Sequence, residues 1–283
     1  MRTKLFAVFL ALAMALTAVA PAGAITGGQP DGDRHPYGAL LLVPGVTFCS
    51  GTLIDENVVL TAGHCTWFWS NTGDEELVID EVWVTFDSEA AVDPETWMPI
   101  EGEGTWYIAT EWYTHPDYVD EEWPFTADYG VVILEEDVDI EPAILPEPYL
   151  LDTIIPEHGQ TDQRFEDVGY GQAGVLVGGG PYTRNFEFIR KFSVQRYNPS
   201  NGAVGTLDPM WLILGNAPSA NKGAGCGGDS GSGIFLEDED VLVAVHTGGY
   251  RMGYLNRLCG RITSLNHRVD LPIVLDWLAT FID

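Results

Sequence analysis

Short runs of β-branched and aromatic residues, cut at close intervals by glycine and proline, constrain this chain more than any other feature. Val82-Trp83-Val84-Thr85-Phe86 and Val131-Val132-Ile133-Leu134 carry the residue types that pack on a pleated surface. Phe188-Ile189-Arg190-Lys191-Phe192-Ser193-Val194 mixes polar and apolar positions as a half-exposed strand does. With 32 Gly and 17 Pro among 283 residues, turns separate such runs along the chain, and a sandwich or barrels are expected. One helix is expected, at the end. Leu271, Val274, Leu275 and Leu278 form an apolar stripe, Asp270 is its expected N-cap, and Pro272 sits in the first turn, where its missing N–H costs nothing. That stripe should pack on the barrel preceding it.

Composition narrows the function classes. A chain that is 46% hydrophobic and 11% aromatic buries a real core, which excludes disorder. Its 13 Lys+Arg against 42 Asp+Glu give a formal charge of −29, so duplex DNA and anionic lipid would repel it. The charge is unevenly spread. Residues 35–163 contain no Lys or Arg and 28 Asp/Glu, whereas residues 164–283 hold 10 basic and 12 acidic residues. Two units are therefore expected, 25–163 and 164–283. The acidic half reads as a hydrated, solubilising surface or, alternatively, as one that steers cationic substrates.

The N-terminus reads as a secretory signal. Arg2 and Lys4 precede an apolar run from Leu5 to Ala20 broken only by Thr17, which is shorter than the roughly 20 residues of a membrane span. Cleavage is expected after Ala22-Gly23-Ala24, because Pro21 obstructs the alternative site after Ala20. Residues 1–24 are then removed, Ile25 starts a secreted chain, and no membrane attachment remains. In an oxidising compartment the four cysteines read as disulfides rather than zinc ligands, since there is no C-x-x-C pair. Spacing leaves all three pairings open.

Three segments carry the chemistry. Thr61-Ala62-Gly63-His64-Cys65 follows the apolar run Val58-Val59-Leu60, Thr126-Ala127-Asp128-Tyr129-Gly130 precedes another, and Gly227-Gly228-Asp229-Ser230-Gly231-Ser232-Gly233 sets a serine among glycines. Singly, each could be structural. Together, in the order His, Asp, Ser, they resemble the chymotrypsin/trypsin-like serine peptidase family. Further stretches extend the resemblance: Phe48 to Ile54, His115-Pro116-Asp117-Tyr118, Val168-Gly169-Tyr170-Gly171, Asp276-Trp277, and the start Ile25-Thr26-Gly27-Gly28. The final segment departs from the family's GDSGGP at Ser232 and Gly233, the region from Trp67 to Glu103 is longer, and the loop closed by Cys259 next to Gly260 is short.

The resemblance implies an all-β fold of two six-stranded antiparallel Greek-key barrels with a C-terminal helix. It implies a secreted serine endopeptidase acting on protein or peptide substrates, with no cofactor or metal. Ser230 would be the nucleophile, His64 its base and Asp128 the group that orients the imidazole, with Asp117 and Asp120 the competing acids. The N–H groups of Gly228 and Ser230 would form the oxyanion hole. Disulfides would join Cys49 to Cys65 and Cys226 to Cys259, and a free Ile25 amine would pair with Asp229. Ala224 would form the floor of the specificity pocket, with Gly249 and Gly260 on its walls. This points first to an apolar P1 side chain. Val245-His246-Thr247-Gly248-Gly249 is also similar to a run in bacterial glutamyl endopeptidases, in which His246 would bind a substrate carboxylate.

Overall fold

The computed structural model describes residues 25, 28–123, 126–155, 161–172, 186–198, 210–215, 223, 225–250 and 263–282. Among the described residues, thirteen strands dominate the fold. After β1 (Gln29–Pro30), the first barrel comprises β2 (Gly38–Val43), β3 (Thr47–Asp55), β4 (Val58–Thr61), β5 (Val82–Thr85), β6 (Tyr107–Thr114) and β7 (Gly130–Leu134). It closes in the order β2-β3-β4-β7-β6-β5. The second comprises β8 (Arg164–Gly169), β9 (Lys191–Tyr197), β10 (Trp211–Gly215), β11 (Gly233–Leu236), β12 (Leu242–Tyr250) and β13 (Thr263–Arg268). Its sheet runs β9-β10-β13-β12-β11-β8, the β8–β9 pairing closes it, and β1 adds to β9. Both barrels are antiparallel and share one strand order, 1-2-3-6-5-4 counted from the first strand of each.

Strand β2 shows why an apolar run with no alternation is still a strand. Ala39, Leu41 and Val43 join the main core, while Leu40 and Leu42 face a second cluster with Phe48, Val92, Tyr170 and Phe188. Successive side chains point to opposite faces, and here both faces are covered. The expected strand at Phe188 begins later, at Lys191. Phe188 has φ of 50°, which breaks the extended backbone just before it.

Helices differ from expectation in two respects. Besides α1 (Gly63–Ser70) and the short α2 (Leu150–Ile154), the terminal α3 spans Pro272–Leu278 with Pro272 in its first turn. Its N-cap is Leu271 rather than Asp270. The Asp270 carboxylate is engaged elsewhere, accepting from Arg268 Nε at 2.9 Å, Arg268 Nη2 at 2.8 Å and the Leu151 N–H at 2.8 Å. The helical segment also crosses to the first barrel: Trp277 packs edge-on against His115 at 4.9 Å and Phe281 against Tyr113 at 5.1 Å.

A buried ionic network ties the N-terminal segment to both barrels. Arg190 donates from Nε to Asp31 at 2.8 Å and from its Nη atoms to the carbonyls of Gly32, Gly38 and Phe86. His35 lies between two carboxylates, with Nδ1 2.5 Å from Asp31 Oδ1 and Nε2 3.2 Å from Glu166 Oε2. Burial alone would lower the pKa of His35, but hydrogen bonds and charge from Asp31 and Glu166 outweigh it and raise the pKa above the ordinary 6.5. Burial would raise the two acids. His35 with Arg190, and His35 with Arg34, instead hold Asp31 and Glu166 below their ordinary 3.8 and 4.5.

These shifts set a stability window. The His35 contribution is complete below 6.5 and is lost as pH rises through its raised folded value. The Asp31 and Glu166 contributions are complete above 3.8 and 4.5 and are lost as pH falls through their depressed folded values. Denaturant titrations across pH should therefore show greatest stability from this network in the mildly acidic range. His35→Leu should cost about 3 kcal/mol there, as breaking a buried pair does, and should flatten the alkaline decline. A variant with an unchanged alkaline limb would remove His35 as its cause.

Candidate active site

His64 is the second residue of α1, a helix that begins directly where β4 ends. Its N-cap, Ala62, has no side chain to satisfy the free amides of the first turn. Asp128 does this from just before β7, the strand paired with β4. Its Oδ1 accepts the His64 backbone N–H at 2.6 Å, and its Oδ2 lies 2.9 Å from the ring Nδ1. One carboxylate thus holds both the main chain and the imidazole of the same residue. The approach requires glycine at position 63, because a Cβ there would lie 2.8 Å from the Tyr129 carbonyl oxygen and 2.9 Å from its nitrogen. The Cys49–Cys65 disulfide links β3 to the residue after His64, with the two Cα atoms 6.6 Å apart.

Asp128 is fully buried, while the His64 side chain keeps 26% of its surface exposed. Burial disfavours the charged form of Asp128, yet the facing imidazole, with a smaller effect from His267, holds it below the ordinary carboxylate range. For His64 burial works downward, and the charge and hydrogen bond of Asp128 more than offset it, so its pKa lies above 6.5. The rival acids are placed otherwise. Asp120 accepts from the Tyr118 hydroxyl at 2.9 Å and acts on His64 only through its charge, and Asp117 donates its backbone N–H to His115.

Ser230 precedes β11, on the second barrel, and reaches the first through Ser50. The Ser50 N–H donates to the Ser230 carbonyl at 2.8 Å, and the Ser50 hydroxyl donates to the Gly228 carbonyl at 2.9 Å. Thr61, three residues before His64, donates its hydroxyl to the Ser50 carbonyl at 2.8 Å. The Ser230 loop and the helix carrying His64 therefore hang on adjacent atoms of one residue. Among the described residues no hydrogen bond joins Ser230 Oγ to His64.

The backbone around Ser230 is selectively occupied. The N–H groups of Asp229, Gly231 and Ser232 donate to the carbonyls of Cys226, His246 and Asp229. Those of Gly228 and Ser230 have no acceptor among the described residues, so this loop presents two free donors. The Asp229 carboxylate is buried and accepts the N–H of Gly171 at 2.7 Å and of Cys226 at 2.8 Å. No cation pairs with it among the described residues. Burial, then the nearby Asp167 carboxylate, pushes its pKa well above the ordinary 3.8.

His246 lies on β12, buried, with Nδ1 3.0 Å from Asn266 Oδ1 and 3.1 Å from Ser264 Oγ. Its Nε2 points at Gly225, where a Cβ would come within 2.5 Å. Gly249 pairs with Ser264 on β13. Ile25 is buried and its carbonyl accepts from Gly28. Cys226 is disulfide-bonded. The predicted signal residues 1–24, Ala224, Cys259 and Gly260 lie outside the described residues.

Two contributors escape a sequence reading. Trp123 donates its indole N–H to Asp128 Oδ2 at 3.3 Å and sets its ring edge-on to His64, with centroids 6.2 Å apart. Nothing local distinguishes it from the eight other tryptophans of the chain. Thr247 binds His267 Nδ1 at 2.6 Å, beside the aspartate that His267 influences. Only their placement by β12 and β13 reveals this.

A family model described as trypsin matches residues 25–269. In fold, the chain is similar to the solved structure of HL collagenase, with a TM-score of 0.60 and 18% identity over 92% of this chain and 97% of that one. With two matching barrels and a family match over most of its length, the chain belongs to the trypsin family of serine-type endopeptidases.

Proposed function

We propose that this protein is a secreted endopeptidase that cleaves by acyl transfer to Ser230, with His64 as base and then acid and Asp128 as its orienting group. The observation that carries this reading is the double grip of Asp128 on His64, which leaves Nε2 as the ring nitrogen free to face a nucleophile. A serine hydroxyl is a weak nucleophile at neutral pH and needs such a base. His64 would take the Ser230 proton as Oγ attacks the substrate carbonyl and return it to the leaving amine as the C–N bond breaks. Water would then attack the acyl-enzyme by the same route. The free N–H groups of Gly228 and Ser230 suit the developing oxyanion, and losing one such donor costs about 10²–10³ in turnover.

A fluorophosphonate probe should label Ser230, and Ser230→Ala should abolish both labelling and peptide hydrolysis. Asp128→Asn should lower kcat by about 10⁴ while the protein stays folded. Because the base works only when neutral, kcat/KM should rise with pH through a value above 6.5, following the raised pKa of His64. Absence of labelling in folded protein would favour a binding role for the fold.

His246 favours an acidic P1 residue over the apolar one. Asn266 Oδ1 accepts from both Ser264 Oγ and His246 Nδ1, and Asn266 Nδ2 donates to the Leu212 carbonyl, so the amide fixes a proton on Nδ1. Nε2 is left toward Gly225, the side from which a substrate carboxylate would meet it. An apolar pocket has no use for this oriented polar set. His246→Val should lose cleavage after Glu while labelling at Ser230 persists. Unchanged cleavage after Phe or Leu as the main activity would restore the apolar reading.

Activation is proposed to follow signal removal. Asp229 is buried without a cation among the described residues, and a free amine at Ile25 would supply one. Breaking such a pair costs about 3–5 kcal/mol. Protein starting at Ile25 should outperform protein bearing one extra residue before it, and equal rates would exclude the mechanism.

A further inference from the structure

A groove of about 580 Å³ opens on the first barrel, formed by residues that take no part in the site above. Its apolar wall includes Trp83, Trp106 and Met98, and its rim carries Glu81, Glu101 and Glu103. The two indoles meet edge-to-face at 5.9 Å, and Trp83 Nε1 donates to Glu81 Oε1 at 2.7 Å, which fixes a carboxylate beside an aromatic surface. Met98 is 47% exposed. All three acids are exposed, and among the described residues no cation forms a salt bridge with them.

We propose that this groove is an exosite for a segment of the protein substrate that carries Lys or Arg next to an apolar residue. The inference rests on the endopeptidase reading and names the substrate class. Each part of the wall suits one part of such a segment. An ammonium or guanidinium group is attracted to the face of an indole and to carboxylates together, and aliphatic stems pack on methionine and tryptophan. An acidic segment would meet three like charges. A lone small cation would leave most of the apolar wall uncovered, so a peptide segment fits better than a free ion.

The groove also lies beside side chains that pack against the Ser230 loop. Trp97, the neighbour of Met98, accepts the Gly45 N–H through its carbonyl and packs edge-on against Phe48 at 5.5 Å. The Phe48 ring in turn lies against Gly228, one of the two free donors near Ser230. A chain of aromatic contacts thus runs beneath the surface from beside the groove to the Ser230 loop, so a peptide bound in the groove packs above the side chains that support that loop. The charge of the whole acidic half would steer such substrates on approach.

The test uses full-length Ser230→Ala protein and a labelled peptide of arginine and leucine, with a glutamate-and-leucine peptide as its counterpart, followed by fluorescence anisotropy. The basic peptide should bind, with affinity falling as salt is added. Glu101→Gln with Glu103→Gln should weaken binding about three- to tenfold, as loss of two exposed ion pairs does. The same double substitution in protein with Ser230 intact should leave turnover of a short peptide amide unchanged and slow cleavage of a long basic substrate. Equal binding of the acidic peptide, or unchanged affinity in the double variant, would overturn the proposal. Self-association abolished by the double substitution, without peptide binding, would assign the groove to a second copy and also overturn it. Basic-peptide binding with no turnover of any short substrate would support the cation site and reject the endopeptidase reading.

Discussion

Ser50 is the residue on which the arrangement of this molecule turns. Its amide and hydroxyl hold the carbonyls of Ser230 and Gly228, its hydroxyl accepts the Tyr170 N–H at 3.0 Å, and its carbonyl receives the Thr61 hydroxyl. The amide and hydroxyl of one buried residue are therefore spent on joining two barrels, while its carbonyl ties that junction to β4. Unmet buried polar groups cost about 1–3 kcal/mol each, so the junction tolerates little displacement. The geometry of His64 relative to Ser230 inherits that rigidity, because both are anchored within a few bonds of Ser50.

Around this junction the molecule manages buried charge in two different ways. Asp31, His35, Glu166 and Arg190 neutralise one another, and the cluster is complete within the folded chain. Among the described residues, Asp167 and Asp229 are not matched in this manner. Asp167 accepts from Ser232 Oγ and Gln195 Nε2, and Asp229 accepts from two backbone amides, yet burial keeps the pKa of each above its ordinary value. A carboxylate left in that state favours an added positive charge. The surface follows a third pattern, with unopposed acids concentrated on the first barrel, where solvation makes them inexpensive.

Legibility in the sequence varied with the range of the interaction. His64, Asp128 and Ser230 each sit in a short run whose neighbours have local duties, such as the glycine at 63 that lets a helix start against Tyr129. Local duties leave local patterns. Trp123 and Thr247 act across strands, by one hydrogen bond each, and no neighbour needs to change to accommodate them. Helix α1 was equally hidden, since its faces are not segregated by polarity and Asp128 supplies its cap from a distant part of the chain. Asp270 misled for the converse reason. It stands where a cap should be, but Arg268 and the Leu151 amide bind it more fully than a helix terminus could.

The amino-acid sequence by itself determined the strand-rich class, the oxidisable cysteines, the sign and segregation of charge, and the residue types of the chemistry, because each follows from composition or from spacing within a few residues. It carried no visible internal repeat, although both barrels take the same strand order. That order depends on which backbone edges meet, and backbone hydrogen bonds are blind to side-chain identity. Tertiary structure alone decided that Trp123 donates to Asp128, that His246 turns Nε2 toward Gly225, and that Trp83, Trp106 and Met98 share a groove with three glutamates. Each of these is a matter of direction and distance between residues far apart in the chain, fixed by barrel closure.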